Sequence, residues 1–126
     1  MIAGTNFNMV RFADAWPRFK DWAGEYITEA AVDEARHWPN VSLVNEDGLL
    51  VLTLKPGHNG LRAFVILALS CSGVFGAVHR NEAGVVEIAR DMGARTLAFR
   101  SARRGWSRVL GPHWWRDGDL YERRVV

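Results

Sequence analysis

From Ala63 to Leu69 the chain reads Ala-Phe-Val-Ile-Leu-Ala-Leu, apolar at every position. A run so short and without alternation fits a strand buried on both faces, the usual condition of parallel pairing under helices. The turn Lys55-Pro-Gly-His-Asn-Gly60 precedes it and Ser70-Cys-Ser-Gly73 follows, which predicts a strand over 61–71. Upstream, Val41–Asn45 and Leu49–Leu54 flank Glu46-Asp47-Gly48. Asp-Gly between apolar runs signals a hairpin, because both residues tolerate positive φ. Met9–Phe12 predicts a first strand. Helical spacing begins at Asp14-Ala-Trp-Pro17, with Pro tolerated in the first turn. Trp16, Phe19, Ala23, Tyr26, Ile27 and Ala30 then fall on one stripe, and Lys20, Asp21, Glu25 and Glu29 lie off it. A second helical piece, Val32 to His37, must stop before Pro39.

In the second half, a helix is expected to end at Met92 with Gly93 as its left-handed cap. Val78, Val85, Ala89 and Met92 make its inner face. Ser72 and Asn81 compete as its N-cap, and Gly84 inside it costs about 1 kcal/mol relative to Ala. Arg95–Arg100 alternates as a strand, with Thr96, Ala98 and Arg100 opposite Leu97 and Phe99. Arg103–Leu110 predicts two helical turns ending at Gly111-Pro112, with Trp106 and Leu110 inward and Arg104 and Arg108 outward. At least one of Trp114 and Trp115 is expected in the core. Asp119–Val126 predicts a last strand after the Asp117-Gly118 turn. The order β-α-α-β-β-β-α-β-α-β predicts an α/β fold, one mixed sheet with helices on both faces, as a single domain over 1–126.

Composition narrows the class without naming a chemistry. The chain has 126 residues and is 48% hydrophobic, enough for one real core and against disorder. Its longest apolar run covers about a third of the roughly 20 residues a membrane span needs. Met1–Asn8 lacks the basic region and apolar core of a signal peptide. The lone Cys71 excludes an internal disulfide, fits a reducing compartment and predicts a cytoplasmic protein. Net charge is +2, unevenly placed: residues 1–60 carry five Lys/Arg against eight Asp/Glu (−3), and residues 61–126 carry eleven Arg against six acids (+5). Six arginines (Arg90, Arg95, Arg100, Arg103, Arg104, Arg108) fall within residues 90–108, and planar guanidinium groups suit phosphates and carboxylates. His37, His58, His79 and His113 show no ligand spacing, so no metal is expected. Cys71, at the end of a buried strand, is expected to behave as a small hydrophobe.

The segment Ala89-Arg-Asp-Met-Gly-Ala-Arg-Thr-Leu-Ala-Phe99 is similar to a helix ending in Ala-x-x-x-Gly-Ala/Cys followed by a short apolar strand, the signature of the GNAT acetyltransferases. With the element order, it makes the whole chain resemble an abbreviated GNAT (acyl-CoA N-acyltransferase) domain. In size and arginine content it also resembles short GNAT-like proteins encoded in bacteriophage genomes, some of them virion components. The resemblance implies acetyl-CoA as cofactor and transfer to an amine. The family holds the CoA pyrophosphate with a Gln/Arg-x-x-Gly-x-Gly/Ala loop ahead of a helix, where backbone N–H groups and glycines let phosphate approach. Here Ser72-Gly-Val-Phe-Gly-Ala77 takes that slot, with no leading Gln or Arg and with bulky Phe75 or Val78 where a small residue is expected. Gly73, Gly76, Ala77 and Arg80 are its candidate cofactor contacts.

The family often uses a Tyr on its last small helix to protonate the leaving thiolate. Trp106–Leu110 has none, which leaves Ser107 nearby and Tyr121 on the last strand, the latter read as a packing residue. Glu46, Asp47 and His58 are candidate bases, all in predicted turns. The alternative is a non-catalytic GNAT-fold virion or assembly protein that meets a protein partner, or a second copy, through Arg103, Arg104, Trp106 and Arg108, Trp and Arg being favoured contact residues. Nucleic acid is disfavoured as a partner by the low net charge.

Overall fold

The apolar run becomes β4 (Gly60–Ser70), the middle strand of a seven-stranded mixed sheet in a computed structural model that describes residues 2, 4–24 and 27–126. The chain runs β1 (Asn8–Val10), α1 (Phe12–Phe19), a 3₁₀ turn (Lys20–Trp22), α2 (Glu29–His37), β2 (Val41–Asn45), β3 (Gly48–Gly57), β4, α3 (Val74–Asp91), β5 (Thr96–Arg100), α4 (Trp106–Val109), β6 (Trp114–Asp117) and β7 (Leu120–Arg124). The sheet order is β1-β2-β3-β4-β5-β7-β6, and every neighbouring pair is antiparallel except β4 and β5. The one parallel pair is therefore the pair joined by the long crossover helix α3, as a parallel connection requires.

Each face of the sheet carries a core. Under α3 lie Phe7, Leu43, Leu52, Ala63 and Leu97 with Val85, Val86, Ile88 and Ala89 of the helix. Under α1 and α2 lie Leu49, Val51, Ile66, Leu67 and Leu69 with Phe12, Ala15, Phe19 and Ala35. Ile66 and Leu67 are consecutive yet belong to the same core, which the pleat forbids in a regular strand. The register gives the reason: Leu52 pairs Val65 and Val51 pairs Leu67, so Ile66 is a bulge. A bulge bends its strand and strengthens its twist. Pairing with β5 stops just before it, at Phe64↔Ala98, and from there β4 and β5 diverge.

At the closed end of that opening, Arg62 Nε and Nη2 donate to Glu122 Oε2 and Oε1 at 2.8 and 3.1 Å, and Thr96 Oγ1 donates to Oε2 at 2.7 Å. One buried carboxylate thus ties together β4, β5 and β7.

Several elements depart from expectation. The first strand ends at Val10 and Phe12 already opens α1, so Pro17 sits inside that helix rather than in its first turn. A proline there removes the helical hydrogen bond to the preceding turn, and α1 runs on to Phe19. The long stripe to Ala30 is therefore broken: Phe12, Ala15 and Phe19 are buried, Trp16 only partly, and Ala30 is exposed on α2. Tyr26 lies outside the described residues. α2 begins at Glu29 rather than Val32, behind a Thr28 cap whose Oγ1 accepts from Ala31 N at 3.1 Å. α3 is capped by Gly73 at φ 93°, and by neither Ser72 nor Asn81. The two-turn Arg103–Leu110 helix shrinks to one turn, because Gly105 in the left-handed region at φ 100° interrupts it. β6 was not expected; it pairs with β7 as a sheet edge, with Trp114 half-buried and Trp115 exposed.

Candidate functional site

The divergence of β4 from β5 opens a cavity of about 360 Å³. Val65 to Ser70 of β4 line it on one side, and Leu97, Phe99, Arg100 and Ser101 on the other. The edge of β4 that would have met β5 is uncovered along this stretch, so its main chain faces the cavity. Such an edge takes up an extended, amide-bearing ligand as a sheet takes up another strand. Trp22 and Ile27, in the segment between α1 and α2, form part of the rim, and Ala77, Val78 and Asn81 of α3 form a wall.

α3 starts at this opening. Its cap Gly73 supplies no side chain, Ala77 N donates to Gly73 O at 3.1 Å, and a Cβ built on Gly73 would meet nothing within 4 Å. The first turn carries no acid, so the positive end of the helix is not neutralised from within. Beside it the β2–β3 turn contributes Asp47. Arg80 Nη2 donates to Asp47 Oδ1 and to Ser72 Oγ, both at 2.6 Å, and Arg80 Nε to Asp47 Oδ2 at 3.2 Å. Asn81 Nδ2 donates to Asp47 Oδ2 at 2.9 Å, and Asn45 Nδ2 to Asn81 Oδ1 at 2.9 Å. The Arg80 guanidinium, followed by the Asn81 amide, holds the Asp47 carboxyl below its usual range, and Asp47 raises Arg80 in return. This network staples α3 to the hairpin.

The opposite wall is aromatic. Phe75 of α3 meets Trp106 of α4 edge-on at 4.7 Å, Phe99 lies 4.8 Å from Trp106, and Tyr121 stacks on Phe99 at 5.1 Å. Gly105 is held close to this cluster: a Cβ there would stand 3.4 Å from Phe75. Ser101 Oγ accepts from Trp106 Nε1 at 2.8 Å and from Arg103 N at 3.1 Å, fixing the turn between β5 and α4.

No family model and no curated protein matches the chain in sequence. Among solved structures, one from Desulfovibrio desulfuricans, assigned to the GNAT family of acetyltransferases, superposes on 95% of this chain and 98% of its own with a TM-score of 0.51 at 17% identity. The chain has the GNAT fold. The likeness is one of architecture.

Within the GNAT fold the sequence candidates scatter. Gly73 and Ala77 line the cavity. Gly76 lies beneath Arg80, whose Nη1 would stand 3.2 Å from a Cβ there, and Arg80 itself is turned to Asp47. Glu46 is exposed in the hairpin turn, where its carbonyl accepts from Cys71 Sγ at 3.7 Å. Cys71 is exposed just past the end of β4, not buried as expected. His58 sits in the β3–β4 turn, at the end of β4 away from the cavity. Ser107 is exposed on α4, and Tyr121 is buried in the ring stack, where Arg116 covers it at 5.4 Å. Trp106, named with Arg103, Arg104 and Arg108 for a partner surface, is only 5% exposed and faces the cavity and the rings. Arg104 and Arg108 are exposed. Among the described residues no group of three His, Cys, Asp or Glu is placed to hold a metal, and no helix is long and apolar enough to cross a membrane.

Arg100, singled out in the arginine-rich stretch, does line this site, whereas sequence reasoning missed Ser101, Asn45 and the Ile66 bulge as parts of it. Each depends on which strands pair and where they stop pairing.

Proposed function

We propose that the chain binds acetyl-CoA in the cavity between β4 and β5 and transfers its acetyl group to an amine. The observation that carries this reading is the uncovered edge of β4 from Val65 to Ser70, opening beside the N-terminus of α3. The residues present suit the ligand. An extended arm with two amides matches a strand edge, and the first turn of α3 carries no acid of its own against phosphate. When bound, acetyl-CoA supplies an activated acetyl thioester. The protein's part is placement and polarity. Main-chain N–H groups of β4 orient and polarise a carbonyl held against them. Leu67, Leu69, Phe99 and Trp106 exclude water from that point. Ser101 Oγ already accepts two hydrogen bonds, which leaves its own proton for an acceptor in the cavity. It is better placed for this than Ser107 or Tyr121. Asp47 and Glu82, the acids among the lining residues, each hold an arginine, Arg80 and Arg123 respectively.

The alternative, a non-catalytic phage virion or assembly protein with a surface of Arg103, Arg104, Trp106 and Arg108, has less support because its aromatic anchor, Trp106, is buried. Thermal unfolding with and without acetyl-CoA tests the choice. At ~100 times its Kd a ligand adds about 2.7 kcal/mol, which for a domain of this size raises Tm by on the order of 10 °C. A shift of that size supports the reading, and an unchanged Tm at millimolar acetyl-CoA removes it.

A further inference from the structure

We infer that the cavity takes an acyl chain longer than acetyl, laid in a slot between α3 and the sheet, so that the donor class of this chain is a short- to medium-chain acyl-CoA. The inference rests on the acyl-CoA reading of the site and extends it from the carbonyl to the tail. On the face of the sheet under α3, Leu50 of β3 stands opposite Ala68 of β4, and Gly48 opposite Ser70. Leu50 and Val65 pack against the core of that face, yet both stay only half-buried in the middle of the sheet. The surface they keep is turned to the cavity, which both line, and half-buried Val78 of α3 meets it from the other side. Small residues at Gly48 and Ala68 complete the floor. Phe7, Val85 and Leu97, at 3%, 8% and 3% exposed, form the inner wall. The Phe7 ring lies against α3, 3.5 Å from where a Cβ on Gly84 would stand.

The two polar side chains with which α3 lines this slot, Asn81 and Glu82, are satisfied within the protein. Asn81 Nδ2 donates to Asp47 Oδ2 at 2.9 Å and to the Ala77 carbonyl at 2.8 Å, and its Oδ1 accepts from Asn45. Glu82 Oε1 accepts from Trp114 Nε1 at 2.9 Å, and Oε2 accepts from Arg123 Nη1 at 2.8 Å. What the slot offers an occupant is therefore apolar contact, and apolar space left empty forfeits that contact. The slot and the uncovered edge of β4 are parts of one cavity, so a chain continuing from a carbonyl held on that edge enters the slot directly. An acetyl group ends at its own methyl and covers little of it. Transfer is the same for any chain length: the amine nitrogen bonds the acyl carbon as the carbon–sulfur bond breaks, and the net proton lost by nitrogen is the one gained by sulfur.

The test is titration calorimetry of the full chain with acetyl-, butyryl-, hexanoyl- and octanoyl-CoA. Each methylene buried in an apolar site tightens binding about fourfold. Wild-type affinity should climb by about that factor per methylene from acetyl- through hexanoyl-CoA. Val85→Phe and Leu50→Phe fill the slot from the helix and from the sheet. Each should bring hexanoyl-CoA back to the affinity of acetyl-CoA while acetyl-CoA binds as it does to the wild type. The two positions are independent, so if a denaturant melt shows one variant unfolded, the other gives the reading. Equal wild-type affinity along the series, or an undiminished chain-length gain in a folded variant, overturns the inference and leaves the acyl-CoA reading in place. So does octylamine binding to the acetyl-CoA-loaded wild type that both variants abolish, because it gives the slot to the acceptor. A wild type that binds none of the four thioesters overturns both.

Discussion

Gly48 shows how a single missing methyl group can set the shape of the site. It is the first residue of β3, with φ 150°, and a Cβ there would lie 1.9 Å from the carbonyl oxygen of Leu69. That oxygen belongs to the backbone of the central strand, so nothing nearby can swing away. Gly48→Ala should therefore destabilise the protein by roughly 3 kcal/mol or more, since both the backbone conformation and the strand contact must give. Denaturant unfolding checks it, and a loss below about 1 kcal/mol would mean that β3 and β4 lie farther apart than described. The sequence marks Gly48 as a turn residue, and the turn is there. What it does not mark is the clash, because Leu69 is distant in the chain and is brought opposite only by strand register. Gly93 is the contrasting case: its left-handed cap, φ 88°, follows from the local pattern of the helix that precedes it.

Between elements, the Asp47–Arg80–Ser72–Asn81 network joins the β2–β3 hairpin to the first turns of α3. In the folded protein the Asp47 carboxyl titrates below its ordinary value of 3.8, with Arg80 the largest cause. A carboxyl depressed by folding contributes its stabilisation in full above the unfolded value and loses it as pH falls through the folded value. Asp47→Asn should accordingly be less stable than the wild type at neutral pH, with the gap closing as pH drops below 3.8. Thermal melts of both proteins across the acid range measure this, and a gap that stays constant with pH rules out the ion pair as its source. The hairpin and the helix were each legible from their own residues. Their connection was not, because hydrogen bonds between a turn and a helix leave no periodic trace. The start of α2 was misplaced for a related reason: α1 ends at Phe19 and α2 begins behind the Thr28 cap, so the apolar stripe divides between two helices.

Across the whole molecule, the opening depends on one end of β4–β5 staying shut. Glu122, 7% exposed, accepts from Arg62 and Thr96 and so holds three strands together at that end. Removing one partner of a buried pair leaves the other charged and unsatisfied, a loss of about 3–5 kcal/mol. Glu122→Ala should fall in that range by denaturant unfolding, whereas the exposed pair mate Asp119→Ala should change stability by less than about 1 kcal/mol. Equal effects would show that the closed end is held by the sheet ladder alone.

By itself the sequence determined the class of the fold, the order of most elements, the central strand and the long helix after it, because apolar runs and helical periods are local records of burial. It also located the arginine-rich stretch, of which Arg100 and Arg103 line the cavity. The cavity itself was decided only by the tertiary structure. It exists because a bulge at Ile66 bends β4 just where its pairing with β5 ends, and beside it Asp47, from a distant hairpin, ties down Arg80 at the start of α3. β6, four residues at the sheet edge, likewise carries too short a pattern to read and is fixed by its pairing with β7. Register, divergence and the choice of ion-pair partner are relations between segments far apart in the chain, and they acquire definite values only once the segments are packed together.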